Sequence, residues 1–344
     1  MSARSTRDMA AGIPPVSVVI PLYNKALYIR RAVQSVLNQT LGDFELIVVD
    51  DGSTDEGGSV VESFVDVRIR LISQENGGEC AARNRGISEA RANLVAFLDA
   101  DDEWLPDHLA TISRLAEKYP ECGAYAAGYR MVVTGGRSIV PRHYGLPDPP
   151  WEGVIPNYFH SRMSSYIITS SSTAVRRDVF ARVGAFPAGE RRAGDDDMWM
   201  RIALRYDIAY SHHTGLIYHC DADNRMSDDK NLPFKLRPFD TLAVAVESGD
   251  LKPGVSRDDV IELRNAFILQ RIADYLPAGK ISASEAKLWL QETASTRLGK
   301  RTWKRLHMVT CVPGLLPAWR LGTWLVVILY RLGIRRLRLL RWSG

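Results

Sequence analysis

Asp99-Ala100-Asp101-Asp102 is the cluster of the chain best suited to bind a divalent metal. It directly follows an apolar run at residues 94–98. Mg²⁺ and Mn²⁺ prefer oxygen ligands and usually bind one or two carboxylates together with substrate phosphates. Because side chains alternate along an extended chain, we expect the carboxylates of Asp99 and Asp101 to point the same way, with Asp102 supporting them. The alternative is that one of these residues caps a helix that begins near Leu105.

Two other polar segments have residues suited to a nucleotide. Residues 50–55 read DDGSTD, and carboxylates there can accept hydrogen bonds from a base or a ribose. Gly77 and Gly78 precede a helix-like segment, where free backbone N–H groups could bind an anion, and Arg83 or Arg85 could add a bidentate phosphate contact. The alternatives are a turn in which Asp55 caps the next helix, and arginines on a solvated helix face.

These clusters follow strand-like runs. The runs lie at residues 16–20, 46–49, 69–72 and 94–98, and PLYN follows the first of them. Strands that alternate with helix-length segments indicate βαβ units and a parallel sheet. Ligands bind at the carboxyl ends of the strands of such sheets, so we expect all four clusters to surround one ligand. GxGxxG does not follow the first run and GxxxxGK[ST] is absent, which argues against a dinucleotide-binding domain and a P-loop.

A further acidic cluster, Asp195-Asp196-Asp197, begins a segment with helical spacing through Trp199 and Leu204. A positioned carboxylate can accept the proton of a substrate hydroxyl. The alternative is that Asp195 is the N-cap of this helix.

Composition and charge restrict the classes of protein that fit. The chain has 344 residues, of which 46% are hydrophobic and 24% charged, which is typical of a globular protein with one large or two modest domains. The net charge is only +4 and is unevenly placed, with a basic C-terminal tail, so we predict no nucleic acid partner. The four cysteines form no CxxC pair, which favours reduced thiols in the cytoplasm.

The C-terminal tail has the composition of a membrane-binding helix. The uncharged run at residues 321–330 is shorter than the ~20 apolar residues that a membrane-spanning helix needs. Trp319, Trp324 and Trp342 lie near five arginines within residues 331–341, which favours a helix in the interface of an anionic membrane. The alternative is a helix packed on the globular body. We expect a flexible leader at 1–15, an α/β domain at 16–225, a helical region at 226–310 and a basic amphipathic tail at 311–344.

Four motifs together resemble family 2 glycosyltransferases with the GT-A fold. VSVVIPLYN, ELIVVDDGSTD, NGGECAARNRGI and VAFLDADD occur in the order of that family over residues 16–103. A weaker match lies at residues 193–201, where Asp195 takes the Asp position of the family's Glu-Asp pair and Gly194 replaces the Glu. The resemblance implies an α/β GT-A fold, which is Rossmann-like with a mostly parallel sheet and flanking helices, plus a C-terminal helical region.

The resemblance also implies roles for individual residues. Facing the nucleoside would be Pro21, Tyr23, Asp50 and Asp51. Arg83 would lie near the nucleotide and Asp99 near the ribose. Asp101 would bind the divalent cation, Mn²⁺ or Mg²⁺. Asp195 would be the catalytic base, with Asp196 in reserve.

The function implied is inverting transfer of a sugar from a nucleotide-diphosphate sugar, with a UDP-sugar favoured, to an acceptor hydroxyl. A saccharide or lipid-linked saccharide acceptor fits a role in cell-envelope polysaccharide or glycolipid synthesis, peripheral on the cytoplasmic face of the membrane. One base and no enzyme nucleophile predict a single displacement. The alternatives are a metal-dependent nucleotidyltransferase and a non-catalytic sugar-nucleotide-binding membrane scaffold.

Overall fold

The structure is a computed structural model that describes residues 12–163, 166–190, 192–223 and 233–293. Most of the expected leader and the whole basic tail at 311–344 lie outside the described residues. The described chain forms two compact units. The first contains the residues up to 223 together with 236–260, and the second contains 233–235 together with the residues from 261 onward.

The first half of the main sheet is parallel. β1 (Val16–Leu22) pairs in parallel with β2 (Glu45–Asp50) and with β4 (Leu94–Phe97), and β3 (Ile69–Ser73) pairs in parallel with β2. Every residue of β1 and β4 is buried. A strand covered on both faces needs a continuous apolar run, and the four runs in the sequence predicted these four strands. The prediction is confirmed.

Three helices connect these strands and set the position of the residues that follow. They are α1 (Ala26–Leu37), α2 (Gly57–Glu62) and α3 (Glu79–Glu89). The buried side of α1 consists of residues at helical spacing, including Ile29 and Val33. A side chain at Gly86 would overlap Val19 of β1, so α3 lies directly against the sheet and its Arg83 is held at a fixed height above it.

The second half of the sheet is mixed. Its strands are β5 (Glu103–Trp104), β6 (Ala124–Val133), β7 (Arg137–Ile139), β8 (Glu152–Val154), β9 (Thr173–Arg176) and β10 (Ile208–His219). Among the described residues the sheet has ten strands, with the main order β3-β2-β1-β4-β9-β6-β10-β5. β9 lies antiparallel to both β4 and β6, and β10 runs parallel to β6. The sheet is thus mostly parallel at the end that carries the predicted ligand clusters.

The other helices of the first unit are α4 (His108–Lys118), α5 (Tyr158–Arg162), α6 (Arg177–Val183), α7 (Gly194–Ala203) and α8 (Arg237–Ser248). The helix predicted at the triple-Asp cluster is therefore confirmed as α7. Trp199 of this helix is 1% exposed and its ring lies 6.0 Å from that of Phe186, edge to face. This packing anchors α7 and fixes where its acidic first turn lies.

The second unit is helical in its described part. It contains α9 (Arg257–Tyr275) from residue 261 onward and α10 (Ala283–Gln291). A capping box is present at the start of α10, because Ser282 and Glu285 exchange side-chain-to-backbone hydrogen bonds. The Ser256 hydroxyl accepts the amide of Asp258 at 3.2 Å. None of the described helices has the length and apolar character needed to cross a bilayer.

Candidate active site

Hydrogen bonds tie together the loops that follow β1 and β2. Asn24 has a left-handed backbone (φ 51°), and its side-chain oxygen accepts the amide of Thr54 at 2.8 Å. Asp55 accepts the amides of Ala26 at 2.8 Å and Gly57 at 3.0 Å. Asp55 therefore binds amides at the starts of both α1 and α2, in agreement with the alternative that it caps the helix after β2. Both loops are held together at the carboxyl edge, by which we mean the side of the sheet where β1–β4 end.

The residues predicted to face a nucleoside differ in accessibility. Pro21 is buried in β1, in register with Val49 of β2. Tyr23, just beyond the strand, is 49% exposed. Asp50 ends β2 and accepts the amide of Ser53 at 2.9 Å. Of these three residues, Tyr23 is the most exposed.

Asp51 binds the loop that was predicted to bind an anion. Its carboxylate is 2% exposed and accepts the amides of Gly77 at 2.9 Å and Gly78 at 2.8 Å. The side chain of Gln74 donates to it as well, at 2.7 Å. The prediction that the two glycines offer free N–H groups to a ligand is wrong, because an internal carboxylate already occupies them. The role of Asp51 toward a nucleoside stays a prediction.

Arg83 joins two carboxylates at the carboxyl edge. Its guanidinium is 2% exposed, donates to Asp99 Oδ1 at 2.7 Å and forms an ion pair with Glu79. The guanidinium carbon of Arg83 lies 5.5 Å from the ring centre of Phe186. By contrast, Arg85 pairs with Glu89 on the surface of α3. Of the two arginines considered from the sequence, only Arg83 belongs to this group.

Residues 99–102 form a turn, which corrects one premise of the sequence analysis. The strand ends at Phe97, and the amide of Asp102 donates to the carbonyl of Asp99 at 3.1 Å. The alternation of an extended chain does not apply there, and Asp99 and Asp101 have different partners. Asp102 supports the turn, as expected, because its buried carboxylate accepts the Ser171 hydroxyl at 2.6 Å and the His219 amide at 3.0 Å. Burial raises the pKa of Asp102 well above its usual range, and the neighbouring carboxylates raise it further.

Asp101 forms an ion pair with Lys25. The ammonium lies 2.8 Å from Asp101 Oδ2 and also donates to the backbone oxygen of Asp223 at 2.8 Å. Arg31 donates to the backbone oxygen of Asp101. Across the described residues, no three His, Cys, Asp or Glu side chains come together as a metal site. Mg²⁺ and Mn²⁺ typically need only one or two carboxylates alongside substrate phosphates, so the Asp99–Asp101 turn fits such a cation.

The three aspartates of α7 have different surroundings. Asp196 is 6% exposed and accepts two hydrogen bonds from the guanidinium of Arg162, one of them at 2.9 Å. Asp197 is fully buried and accepts from Arg201 at 2.8 Å and from the hydroxyl of Thr241. Within the described part of the chain, the Asp195 carboxylate accepts one hydrogen bond, from the Asp196 amide at 2.8 Å. Of the three, Asp195 alone has no ion pair with a described residue, which distinguishes the predicted base from its reserve.

The chain enters α7 through a strained residue. Ala193 has a left-handed backbone (φ 61°, ψ 19°), which costs energy for a residue with a Cβ. At Gly194 a Cβ would overlap Sγ of Cys80, the second residue of α3. The absence of a side chain at 194 therefore lets the first turns of α3 and α7 approach each other. Glu79 and Asp195, one residue before Cys80 and one after Gly194, consequently lie near each other.

The electrostatics of the group follow from this approach. Burial raises the pKa of Asp195, the Asp196 carboxylate raises it further and Arg83 opposes the shift. Burial also raises the pKa of Glu79 to about 7, while Arg83 opposes this and the carboxylates of Asp99 and Asp195 add to it. The Glu79 side chain remains 41% exposed, so solvent reaches this recessed carboxyl and moderates the shift. Glu79 and Lys25 were not among the residues selected from the sequence, and a single Glu or Lys carries no pattern that would have selected them.

The mostly parallel sheet with flanking helices and an acidic turn at its carboxyl edge is a GT-A fold. Residues 17–184 match the model of "Glycosyl transferase family 2". The match ends before α7, so Asp195 lies outside it. The family resemblance and the fold class predicted from the sequence are confirmed.

Curated relatives are similar over parts of the chain. EpsJ of Bacillus subtilis, an uncharacterized glycosyltransferase, is 46% identical over 92 residues, which are 26% of this chain and 27% of EpsJ. TuaG of the same organism, a putative teichuronic acid biosynthesis glycosyltransferase, is 37% identical over 130 residues, which are 37% of this chain and 51% of TuaG. The chain therefore matches well under two thirds of either protein.

Solved structures share the fold over most of the chain. TarS residues 1–349 from S. aureus in complex with UDP-GlcNAc has a TM-score of 0.62 at 20% identity and covers 92% of each chain. The same TarS segment with UDP has a TM-score of 0.59 at 19% identity, over 95% of this chain and 94% of TarS. At this identity the likeness establishes the fold.

Proposed function

We propose that this chain is an inverting glycosyltransferase that moves a sugar from a nucleotide-diphosphate sugar to an acceptor hydroxyl. The observation that carries the proposal is the position of Asp195. Its carboxylate lies within electrostatic reach of Arg83 and Asp99 at the carboxyl edge, yet it has no ion pair among the described residues. A donor bound at this edge would thus have a base beside its reacting carbon.

Asp195 is the base in this proposal because it remains basic. Both carboxylate oxygens of Asp196 already accept hydrogen bonds from Arg162, so Asp196 is less available to an acceptor hydroxyl. The raised pKa of Asp195 moves it toward the range in which a general base is effective. The acceptor oxygen bonds to the anomeric carbon while its proton passes to the Asp195 carboxylate and the nucleoside diphosphate leaves. One displacement inverts the configuration.

The donor is held by residues of the strand ends in this proposal. Tyr23 would offer its exposed ring to the nucleobase, and Asp50 and Asp51, at the end of β2, would also face the nucleoside. Arg83 keeps Asp99 oriented toward the ribose through their 2.7 Å contact. Asp101 would hold the divalent cation, Mn²⁺ or Mg²⁺, which as a Lewis acid neutralises the charge that builds on the leaving diphosphate.

The similar proteins support a particular class of substrate. TarS structures contain UDP-GlcNAc or UDP, which supports a UDP-sugar donor for this chain. TuaG is named for teichuronic acid biosynthesis, which supports a saccharide or lipid-linked saccharide acceptor in cell-envelope polysaccharide or glycolipid synthesis. Peripheral binding to the cytoplasmic face of an anionic membrane rests on the basic tail of the sequence. Flotation of the full chain with anionic vesicles at low and high salt tests that part.

A donor-hydrolysis screen tests the proposal. The full chain is incubated with a set of nucleotide sugars and Mn²⁺ or Mg²⁺, and the released nucleoside diphosphate is measured. We expect hydrolysis of at least one UDP-sugar that depends on the cation, and loss of the cation's effect on UDP affinity in Asp101→Ala. UDP binding without turnover of any donor would instead support the non-catalytic scaffold. Formation of a nucleoside triphosphate and a sugar 1-phosphate in a parallel sample with added pyrophosphate would support a nucleotidyltransferase.

A further inference from the structure

Tyr166 presents an open aromatic face on the surface of the first unit. The residue is 53% exposed. Its ring centre lies 3.8 Å from the guanidinium carbon of Arg162, the last residue of α5, so one face of the ring rests on that cation. Because more than half of the residue remains exposed, the opposite face is accessible to a ligand.

The ring has a rigid support. Arg162 is 7% exposed and is bound by both carboxylate oxygens of Asp196 at the start of α7. The backbone oxygen of Tyr166 accepts the hydroxyl of Tyr129 from β6 at 2.7 Å. A platform fixed at both its ring and its backbone loses little conformational entropy when a ligand binds.

The platform lies beside the proposed base. Tyr166 stacks on Arg162, Arg162 binds Asp196, and the Asp196 amide donates to Asp195 at 2.8 Å. Neighbouring atoms shield the hydroxyl end of Tyr166 from water, unlike its open ring face, and this raises the pKa of the hydroxyl. The carboxylates of Asp196 and Asp195 raise it further, so the hydroxyl lies within their electrostatic reach. The ring therefore belongs to the same group of residues as the carboxylate that takes the acceptor proton in the proposed function.

The hydroxyl of Tyr158, near the platform, lacks a hydrogen-bond partner among the described residues. This hydroxyl is buried, and the residue as a whole is 6% exposed. The charges that act on it come from Asp196, Arg162 and Asp195. A buried hydroxyl without a partner is uncommon in folded proteins, and here it lies in the same group of residues as the platform.

We propose that Tyr166 is a stacking platform for a pyranose ring of the saccharide acceptor. The inference rests on the proposed function and adds a binding site to it. One face of a pyranose is lined by C–H groups that pack on a flat aromatic ring, while its hydroxyls stay free for polar contacts. A cation would be a poor occupant, because Arg162 already lies against the ring. The role is one of binding and specificity, so it should alter acceptor affinity without altering the donor site.

Ligand-detected NMR tests the platform on the full chain. The probes are methyl and p-nitrophenyl pyranosides of the gluco, galacto, manno and N-acetylglucosamine series, added in the presence of UDP and Mn²⁺. We expect saturation transfer from the wild-type protein and from Tyr166→Phe to the ring protons of at least one pyranoside. In Tyr166→Ala the apparent Kd for that pyranoside should rise about tenfold, the effect of losing ~1.4 kcal/mol of stacking.

UDP binding in the same samples separates this inference from the proposed function. Normal UDP binding with no pyranoside signal from the wild-type protein would overturn the platform and leave the proposed function standing. Absence of UDP binding would count against the proposed function, while the pyranoside signal would still report on Tyr166. Unchanged pyranoside binding in Tyr166→Ala, or a loss of UDP affinity instead, would also overturn the platform. A thermal melt of each variant identifies misfolding, and in that case Tyr166→Leu, which keeps the bulk without the aromatic face, replaces the alanine variant.

Discussion

The carboxylates at the strand ends, which form the donor side of the site, differ in their partners from the proposed base Asp195 at the start of α7, which forms the base side. At the strand ends, Asp99 is bound by Arg83 and Asp101 by Lys25. At the start of α7, Asp196 has an arginine partner, whereas the one hydrogen bond that the Asp195 carboxylate accepts from the described residues comes from a backbone amide. A carboxylate with a cationic partner is held in place, which suits a binding site. A carboxylate without a cationic partner keeps more affinity for a proton, which suits a base. Neighbouring residues can thus differ in chemistry because their partners differ.

The largest expected effect is the loss of sugar transfer when the proposed base, Asp195, is replaced. Asp195→Asn keeps the shape of the side chain and cannot accept the acceptor proton. We expect sugar transfer to fall on the order of 10²–10⁴-fold, while UDP affinity stays near that of the wild type. The measurement is the initial rate with the donor identified by the hydrolysis screen, together with UDP titration. If Asp195→Asn transferred sugar at nearly the wild-type rate, the contrast between the two aspartates would have no catalytic meaning.

Asp196→Ala should act on folding rather than on chemistry. It leaves the buried Arg162 guanidinium without its carboxylate, and breaking a buried pair in this way typically costs about 3–5 kcal/mol. We expect a large drop in the free energy of unfolding, measured by denaturant titration, with Asp195→Asn as the control that changes it little. Equal stability of the two variants would mean that Arg162 finds another partner, and the structural role assigned to Asp196 would be wrong.

The parallel strands could be predicted from the sequence because strands buried on both faces are continuous apolar runs, such as residues 16–20. β9 could not, since Thr173–Arg176 is short and follows a Ser-rich turn, and its place between β4 and β6 depends on distant contacts. Likewise, the order of the motifs predicted that Asp101 lies at the carboxyl edge. Its pairing with Lys25, 76 residues earlier, has no local signal.

The same limit applies to Asp195 and Asp196. Adjacent aspartates look equivalent in a sequence, and either could be the base or a helix cap. Arg162, which distinguishes them, comes from α5, 34 positions from Asp196. Residue types and their order therefore predicted which groups meet at the site, whereas the charge state of each group depends on tertiary partners.

Lys25 offers a smaller test, on the donor side. In the absence of a cation its ammonium neutralises Asp101, so a divalent cation at Asp101 must compete with it. We expect Lys25→Met to bind Mn²⁺ roughly fivefold more tightly without nucleotide, which corresponds to about 1 kcal/mol for a partly exposed pair. Titration followed by electron paramagnetic resonance of free Mn²⁺ measures this.

The control for this test is Arg30→Met, which removes a positive charge from α1, the helix that begins directly after Lys25. Arg30 donates to the Ser63 hydroxyl at 3.0 Å. An equal gain in both variants would mean that net charge, and not competition for Asp101, sets the affinity. Unchanged or weaker Mn²⁺ binding in Lys25→Met would show that the pair does not oppose the cation.

The smallest effect concerns Glu79, which lies between the two sides. Its pKa is raised from 4.5 to about 7 in the folded protein, mainly by burial. Between these two pH values the native protein binds more protons at Glu79 than the unfolded chain does, so this group makes stability fall as pH rises through that window. Glu79→Gln removes the titration. We therefore expect its melting temperature, relative to wild type, to be higher at about pH 8 than at about pH 5.

Thermal melts of both proteins across that range measure the difference, and the titrations of other groups cancel to first order because both proteins contain them. Glu75→Gln removes the same formal charge from an exposed position in the neighbouring loop and should show no such trend. If the curves of wild type and Glu79→Gln ran parallel, Glu79 would titrate as an ordinary exposed carboxyl. Solvent would then screen the negative charges of Asp99 and Asp195 from Glu79, and Glu79 would not couple the two sides of the site electrostatically.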